Sequence, residues 1–169
     1  MRKCYFILLL LMLLFSTSIN AQRLKPGFDK SELIDLLKTS SRFGDTVYFK
    51  DIPAPPQYKF IYRSPIIGLE NCWELYVSNN AVAVISIRGT TESSVSWLAN
   101  FYAAMVPAKG ELQLSVNETF KYELASNSRA AIHVGWLVSM AFLAKDILPK
   151  IDSCYKHGIK DMLITGHSQ

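Results

Sequence analysis

Ser168 lies in a short motif that is typical of a catalytic serine nucleophile. The residues Gly166-His167-Ser168-Gln169 match every position of the G-x-S-x-G nucleophile elbow except its last glycine. Such a serine stands on a turn too tight for side chains two residues away, and the strain exposes its hydroxyl for attack on an ester carbonyl. An ordinary serine after a strand gives the same short match, so the motif alone leaves both interpretations open.

The residues before this serine predict the elements that the elbow needs. Met162–Thr165 is almost wholly apolar, which predicts a strand buried on both faces. Over residues 135–155 apolar residues recur at three- and four-residue steps, which predicts a helix ending at Gly158 and kinked near Pro149. A strand, a helix and a buried strand in this order favour an α/β fold.

The first half of the chain supplies further elements. An amphipathic helix is expected from Asp29 to Ser41, capped by Asp29 or Ser31 and packed on the outside of a sheet. Three prolines within residues 51–56 predict a loop. Three strand-like runs follow, the last two joined as a hairpin by Ser78-Asn79-Asn80: Lys59–Tyr62, Trp73–Val77 and Ala81–Ile87.

Three more blocks precede the elbow, and together they carry a resemblance. They are Ile85–Thr91 with its Arg-Gly-Thr, Trp97-Leu98 followed by Asn100, and Ile132–Leu137 with its His-x-Gly-Trp. In this order the blocks resemble the class 3 lipase family, the fungal-lipase-like α/β-hydrolases, over about residues 59–169. The resemblance implies a three-layer α/β-hydrolase-type sheet with flanking helices, incomplete at its C-terminal side.

The resemblance also implies roles for single residues. Ser168 matches the nucleophile, Thr90 matches the oxyanion-hole residue, and Gln169 supplies a second oxyanion donor through its backbone N–H. Taken alone, Thr90 is more readily interpreted as a turn hydroxyl that bonds its own backbone. Five residues match positions of structural support: Arg88, Gly89, His133, Gly135 and Gly166.

The stretch from Glu92 to Met105 corresponds to the lid helix of the family. A lid with an apolar face closes over the serine in water and opens on a lipid surface. The alternative is a short helix permanently packed on the core. The apolar residues assigned to the lid are Val95, Trp97, Leu98, Phe101 and Met105.

The catalytic triad is where the sequence departs from the family. The family order is serine, acid and then histidine, and no residue follows Gln169 here. His133 matches a supporting position, His157 lies at a helix end, and the place of His167 beside the serine directs it away from the hydroxyl. We therefore expect an N-terminal portion of a hydrolase, inactive alone, whose native reading frame continues into an acid and a histidine.

Residues 1–21 are typical of a secretory signal peptide. Arg2 and Lys3 precede the apolar run Cys4–Phe15, which is shorter than the roughly 20 residues that span a bilayer. We expect cleavage after Ala21 and export to the periplasm or the extracellular space, with an uncleaved anchor as the alternative. The expected organisation is 1–21 signal peptide, 22–58 N-terminal helix and proline-rich loop, and 59–169 lipase-like domain.

Composition excludes several classes of protein and partner. Half of the 169 residues are apolar and 19% are charged, which excludes intrinsic disorder. Removal of Arg2 and Lys3 lowers the net charge from +4 to +2, and without a run of basic residues no nucleic-acid partner is expected. Cys72 and Cys154 are either a disulfide or two core residues, and no metal or other cofactor is predicted.

These observations lead to two hypotheses from different classes. The first is an exported serine ester hydrolase acting on acylglycerols or similar carboxylic esters, at a lipid–water interface and without a transmembrane helix after signal cleavage. Phospholipase and thioesterase chemistry stay open within it. The second is a non-catalytic exported protein that uses the same fold to bind a lipid or a partner.

Overall fold

A mixed β-sheet organises the part of the chain that the structure describes. This computed structural model describes Leu24 and residues 26–43, 51–79 and 81–168, so the expected signal peptide and Gln169 lie outside the described residues. In chain order the elements are α1 (Lys30–Ser41), β1 (Tyr58–Arg63), β2 (Trp73–Ser78), β3 (Val82–Ile87), α2 (Ser94–Phe101), β4 (Met105–Pro107), β5 (Lys109–Ser115), β6 (Glu118–Glu123), β7 (Ala131–His133), α3 (Val134–Lys156) and β8 (Asp161–Gly166).

The main sheet has the strand order β1-β2-β3-β8. The pairs β1–β2 and β2–β3 are antiparallel, which confirms the predicted hairpin, and β3–β8 is parallel. A parallel pair needs a long connection, and α3 is its last element before β8. The predicted α/β class is therefore confirmed.

Alternate residues of β3 face two apolar clusters. Ile85 packs with Leu75 and with Leu143 of α3 on one face. Val84, which is fully buried, packs with Tyr76 and with Leu36 of α1 on the other. Because both faces of β3 are covered, the strand is apolar from Val82 to Ile85 and again at Ile87, with Ser86 as its polar residue.

Capping residues fix the start of α1 and the end of α3. The Asp29 carboxylate accepts hydrogen bonds from the backbone N–H groups of Ser31 and Glu32, which begins α1. Gly158, with a φ of +81°, follows the C-cap of α3 and adopts the left-handed conformation that glycine tolerates best. None of the helices in the described ranges is long and apolar enough to cross a membrane.

The structure decides two predictions, one about strand β8 and one about the two cysteines. The prediction that Met162–Thr165 is buried on both faces is wrong for the described chain, because β8 pairs only with β3 there and Ile164 is 72% exposed. Cys72 and Cys154 are buried and unpaired, so the reading as two core residues is confirmed. Burial raises the pKa of the Cys154 thiol.

The region between α2 and α3 contains strands that were not predicted. Met105, expected in the lid helix, begins β4 and pairs with His133 of β7, because the helix has already ended at Phe101. The strands β5 and β6 then form an exposed hairpin. Its alternating polar and apolar residues, such as Glu111-Leu112-Gln113-Leu114, carried the period-two signal that predicts it.

A tight contact joins α2 to α3 at Gly135. A Cβ atom built on Gly135 would overlap the carbonyl oxygen of Ala99 in α2. We expect Gly135→Ala to lower the free energy of unfolding of the full-length protein by about 1–3 kcal/mol or more, measured by chemical denaturation. The matched control is Gly110→Ala, whose Cβ would meet the end of the Tyr122 side chain, with the hydroxyl nearest at 3.1 Å. Equal stability of the two variants would contradict this packing role.

Candidate active site

Ser168 adopts a strained backbone conformation directly after β8. Its φ is +57°, which is rare for a residue with a side chain, and the residue is exposed. Such strain persists only where surrounding contacts hold it, and it clusters at functional positions. A strained turn directly after a strand is the conformation expected of a nucleophile elbow.

The parallel pairing of β3 and β8 brings Thr90 to this serine. Ile87 at the end of β3 is opposite Gly166 at the end of β8, so both chains leave the sheet at the same edge. The Thr90 backbone N–H then donates to the Ser168 carbonyl oxygen at 2.7 Å. Residues 78 positions apart in the sequence thus share one site.

Two motif glycines allow this approach of backbones. A Cβ atom on Gly89 would overlap the carbonyl oxygens of both His167 and Ser168. On Gly166 it would lie 3.2 Å from the Ile87 carbonyl oxygen, a tight but smaller conflict. Gly89 is therefore required by the close contact between the two strand ends.

A cavity of about 880 Å³ opens over Ser168 and Thr90. Its volume lies in the range of small-molecule sites. It brings together the expected nucleophile, the expected oxyanion residue, two supporting residues and one lid residue. The lining comprises Ser40, Ser41, Phe43, Arg88, Gly89, Thr90, Thr91, Glu92, Trp97, His167 and Ser168.

A chain of hydrogen bonds orients the Thr90 hydroxyl. The Trp136 indole N–H donates to Asn100 Oδ1 at 3.4 Å, and Asn100 Nδ2 donates to Thr90 Oγ1 at 3.0 Å. An indole N–H can only donate, so it fixes which end of the Asn100 amide faces Thr90. The Thr90 hydroxyl therefore accepts from Asn100 and keeps its own hydrogen for another acceptor.

The sequence alone indicates no role for Asn100 or Trp136. Asn100 follows Trp97-Leu98, and Trp136 belongs to the His-x-Gly-Trp motif. The positions of these residues in the sequence do not show that their side chains meet. The contact depends on the packing of α2 against α3. The local signal for it is an amide at the next-to-last position of a helix that follows Arg-Gly-Thr.

His133 and Gly135 lie at the start of α3, apart from the residues that line the cavity. His133 Nδ1 accepts from the Trp136 backbone N–H at 3.4 Å, and the two rings stack with centroids 4.9 Å apart. His133 thus caps the helix that carries Trp136. His157 is an exposed C-cap residue of the same helix, as expected.

The helix α2 presents most of its large apolar side chains to solvent. Ser96 and Ala99 face the protein interior, while Phe101 is 73% exposed and stacks on Trp97. Four of the five residues assigned to the lid lie on this helix, with Met105 as the exception. Those four are Val95, Trp97, Leu98 and Phe101, all exposed.

Comparison with known proteins gives a structural match to a lipase. No protein-family model and no curated protein sequence matches the chain. The structure is similar to that of a fungal lipase in complex with an inhibitor, described as a model for interfacial activation in lipases, with a TM-score of 0.56 and 16% sequence identity over 81% of this chain. The chain spans about half of the length of that lipase, 48%. The similarity establishes a lipase-like α/β fold.

Proposed function

We propose that this chain belongs to a serine ester hydrolase of the class 3 lipase type, acting on acylglycerols or related carboxylic esters. The observation that carries the proposal is the strained turn at Ser168, which lines a cavity of about 880 Å³. The backbone N–H of Thr90 donates to the carbonyl oxygen of Ser168 at 2.7 Å and so holds the two residues together. The lipase-like fold supports it, because in that fold a serine after a strand performs acyl transfer.

The proposed reaction begins with attack of Ser168 Oγ on the acyl carbonyl carbon. The hydroxyl proton passes to a general base, and the carbonyl oxygen takes up the negative charge. The Thr90 hydroxyl donates a hydrogen bond to that oxygen, and the backbone N–H of Gln169 is proposed as the second donor. Collapse of the intermediate expels the alcohol after protonation, and water then hydrolyses the acyl-enzyme.

The proposed general base is a histidine encoded beyond Gln169. His133 is used as a helix cap and His157 lies at the far end of α3. His167 lines the cavity, but within the described residues no hydrogen bond joins it to Ser168. The chain spans about half of the fungal lipase, which supports the proposal that a larger, three-layered protein contributes the acid and the histidine.

Export is part of the same proposal. The basic start and apolar run of residues 1–15 support cleavage after Ala21 and a periplasmic or extracellular location. A lipid or ester substrate then has to be reached from an aqueous compartment. The exposed apolar residues of α2 support contact with a lipid–water interface.

A fluorophosphonate probe on the full-length protein tests the proposed function. Such a probe reacts with an activated serine, so we expect stoichiometric labelling at Ser168, located by peptide mass spectrometry. Ser94, an exposed serine at the start of α2, is the internal control and is expected to stay unlabelled. A folded full-length protein without a label at Ser168 would favour the non-catalytic binding alternative.

The apolar face of α2 is expected to control access of lipid substrates. Replacing Leu98 and Phe101 with serine removes apolar area that contacts a lipid surface, so activity on emulsified ester should fall by about tenfold or more. Activity on a soluble short-chain ester should change by less than about twofold. The measurement is the ratio of the two rates.

The control for that variant places the same change on another helix. Leu33 and Leu37 are exposed residues of α1, 42% and 52% respectively, and do not line the cavity. Their replacement by serine should leave the ratio unchanged. An equal loss on both substrates in the α2 variant would mean that α2 is only core packing.

A further inference from the structure

A carboxylate from a neighbouring loop holds the segment that carries Thr90. Glu70 Oε1 accepts from the Ser93 hydroxyl at 2.7 Å, and Glu70 Oε2 accepts from the Thr91 hydroxyl at 3.2 Å. The Glu70 backbone carbonyl accepts from Arg88 Nη2 at 2.6 Å. One residue thus binds the segment 88–93 on both sides of Thr90.

Glu70 lies on a closed turn beside β2. Ile67 and Asn71 exchange two backbone hydrogen bonds, of 2.9 and 2.8 Å. The φ of Glu70 is +57°, a conformation that costs free energy for a residue with a side chain and that the closed turn maintains. Cys72, the residue before β2, accepts from the Arg88 backbone N–H at 2.9 Å. The carboxylate therefore projects from a turn anchored to the main sheet.

The same carboxylate orients the start of α2. Ser93 is the N-cap of α2, and its hydroxyl accepts from the Val95 backbone N–H at 3.2 Å while donating to Glu70. The Thr91 backbone N–H donates to the buried Ser96 hydroxyl at 3.0 Å. Hydrogen bonds to polar side chains thus hold the segment between Thr90 and the helix.

We propose that Glu70 is a positioning residue for ester hydrolysis: it holds the segment 88–93 so that the Thr90 hydroxyl faces the reacting oxygen and α2 begins at Ser93. The inference rests on the proposed function of Ser168 and Thr90. Glu70 acts through the segment and does not touch the substrate. An oxyanion donor must be in place before the charge develops. Loosening the segment therefore reduces stabilisation of the transition state more than it reduces binding of the substrate.

The test compares Glu70→Ala with Glu70→Gln in the full-length protein. Alanine removes both acceptors. Glutamine keeps one carbonyl acceptor, and its amide donates to the second hydroxyl, so the bridge between Thr91 and Ser93 is retained. Glu123→Ala, which removes a glutamate paired with Lys109 on the exposed hairpin, is the control.

Hydrogen exchange of the backbone amides is measured first, because it does not depend on hydrolysis. In Glu70→Ala we expect exchange over residues 90–96 to rise about tenfold, with β2 and β3 unchanged. On a soluble ester kcat should fall about tenfold with KM within about twofold. Glu70→Gln should restore both values to within about threefold of the parent, and Glu123→Ala should match the parent.

Three results would overturn the proposal: unchanged exchange over residues 90–96 in Glu70→Ala, a rise in KM with kcat unchanged, or failure of Glu70→Gln to restore kcat. The proposed function fails separately, when the parent protein neither hydrolyses esters nor labels at Ser168. In that case the exchange measurement still decides whether Glu70 holds the segment.

Discussion

Replacing Ser168 with alanine is expected to lower ester hydrolysis by the full-length protein by about 10⁴-fold or more, because the acyl group loses its acceptor. The measurement is kcat/KM on a soluble ester, together with loss of fluorophosphonate labelling. KM is expected to change little, since the hydroxyl contributes to the reaction rather than to binding of the remaining substrate.

A second variant at the same position separates folding from chemistry. Ser168 has a φ of +57°, so Ser168→Gly removes the hydroxyl and at the same time relieves the backbone strain. We expect this variant to be at least as stable as the parent in thermal unfolding and as inactive as Ser168→Ala. Residual hydrolysis above about one per cent in either variant would contradict a nucleophilic role.

Replacing Thr90 with valine is expected to lower kcat by about 10²–10³-fold, with KM within about twofold. Valine keeps the size of the side chain and the backbone hydrogen bond to Ser168, and it removes only the hydroxyl that Asn100 orients. Thr90→Ser should recover most of the rate, because it restores the donor.

The control for the Thr90 variant removes a hydroxyl elsewhere. Thr119 lies on β6, where its hydroxyl donates to Gln113, and it does not line the cavity. Thr119→Val should leave kcat unchanged. If Thr90→Val altered KM alone, the hydroxyl would contribute to substrate binding and the oxyanion role would be wrong.

Elements built from local patterns were predictable from the sequence. The helix α3 and the strand β8 were expected within two residues of their bounds, because apolar periodicity and the glycine at 158 act over short distances. Met105 was assigned to a helix because its spacing fits one, but pairing with His133, which is distant in the sequence, places it in a strand. Long-range pairing of this kind leaves no local signal.

Some residues of the candidate site were likewise predictable from the sequence, and others were not. The serine and the Arg-Gly-Thr block could be found from motifs, since tight turns restrict which residue types fit. Glu70 could not be found, because it meets Thr91 and Ser93 through folding alone and its positive φ is unusual outside glycine. The role of Asn100 becomes apparent only from its hydrogen bond with the Trp136 indole, which folding creates.

The register of β3 and β8 has a consequence for changes in chain length. From the paired residues Ile87 and Gly166, three residues lead to Thr90 and two lead to Ser168. One inserted or deleted residue would displace either group by about 3.3 Å, which is more than a hydrogen-bond length. Insertions and deletions are thus excluded from these two short links, whereas the hairpin end at Val116, 94% exposed, can lengthen without disturbing the chemistry.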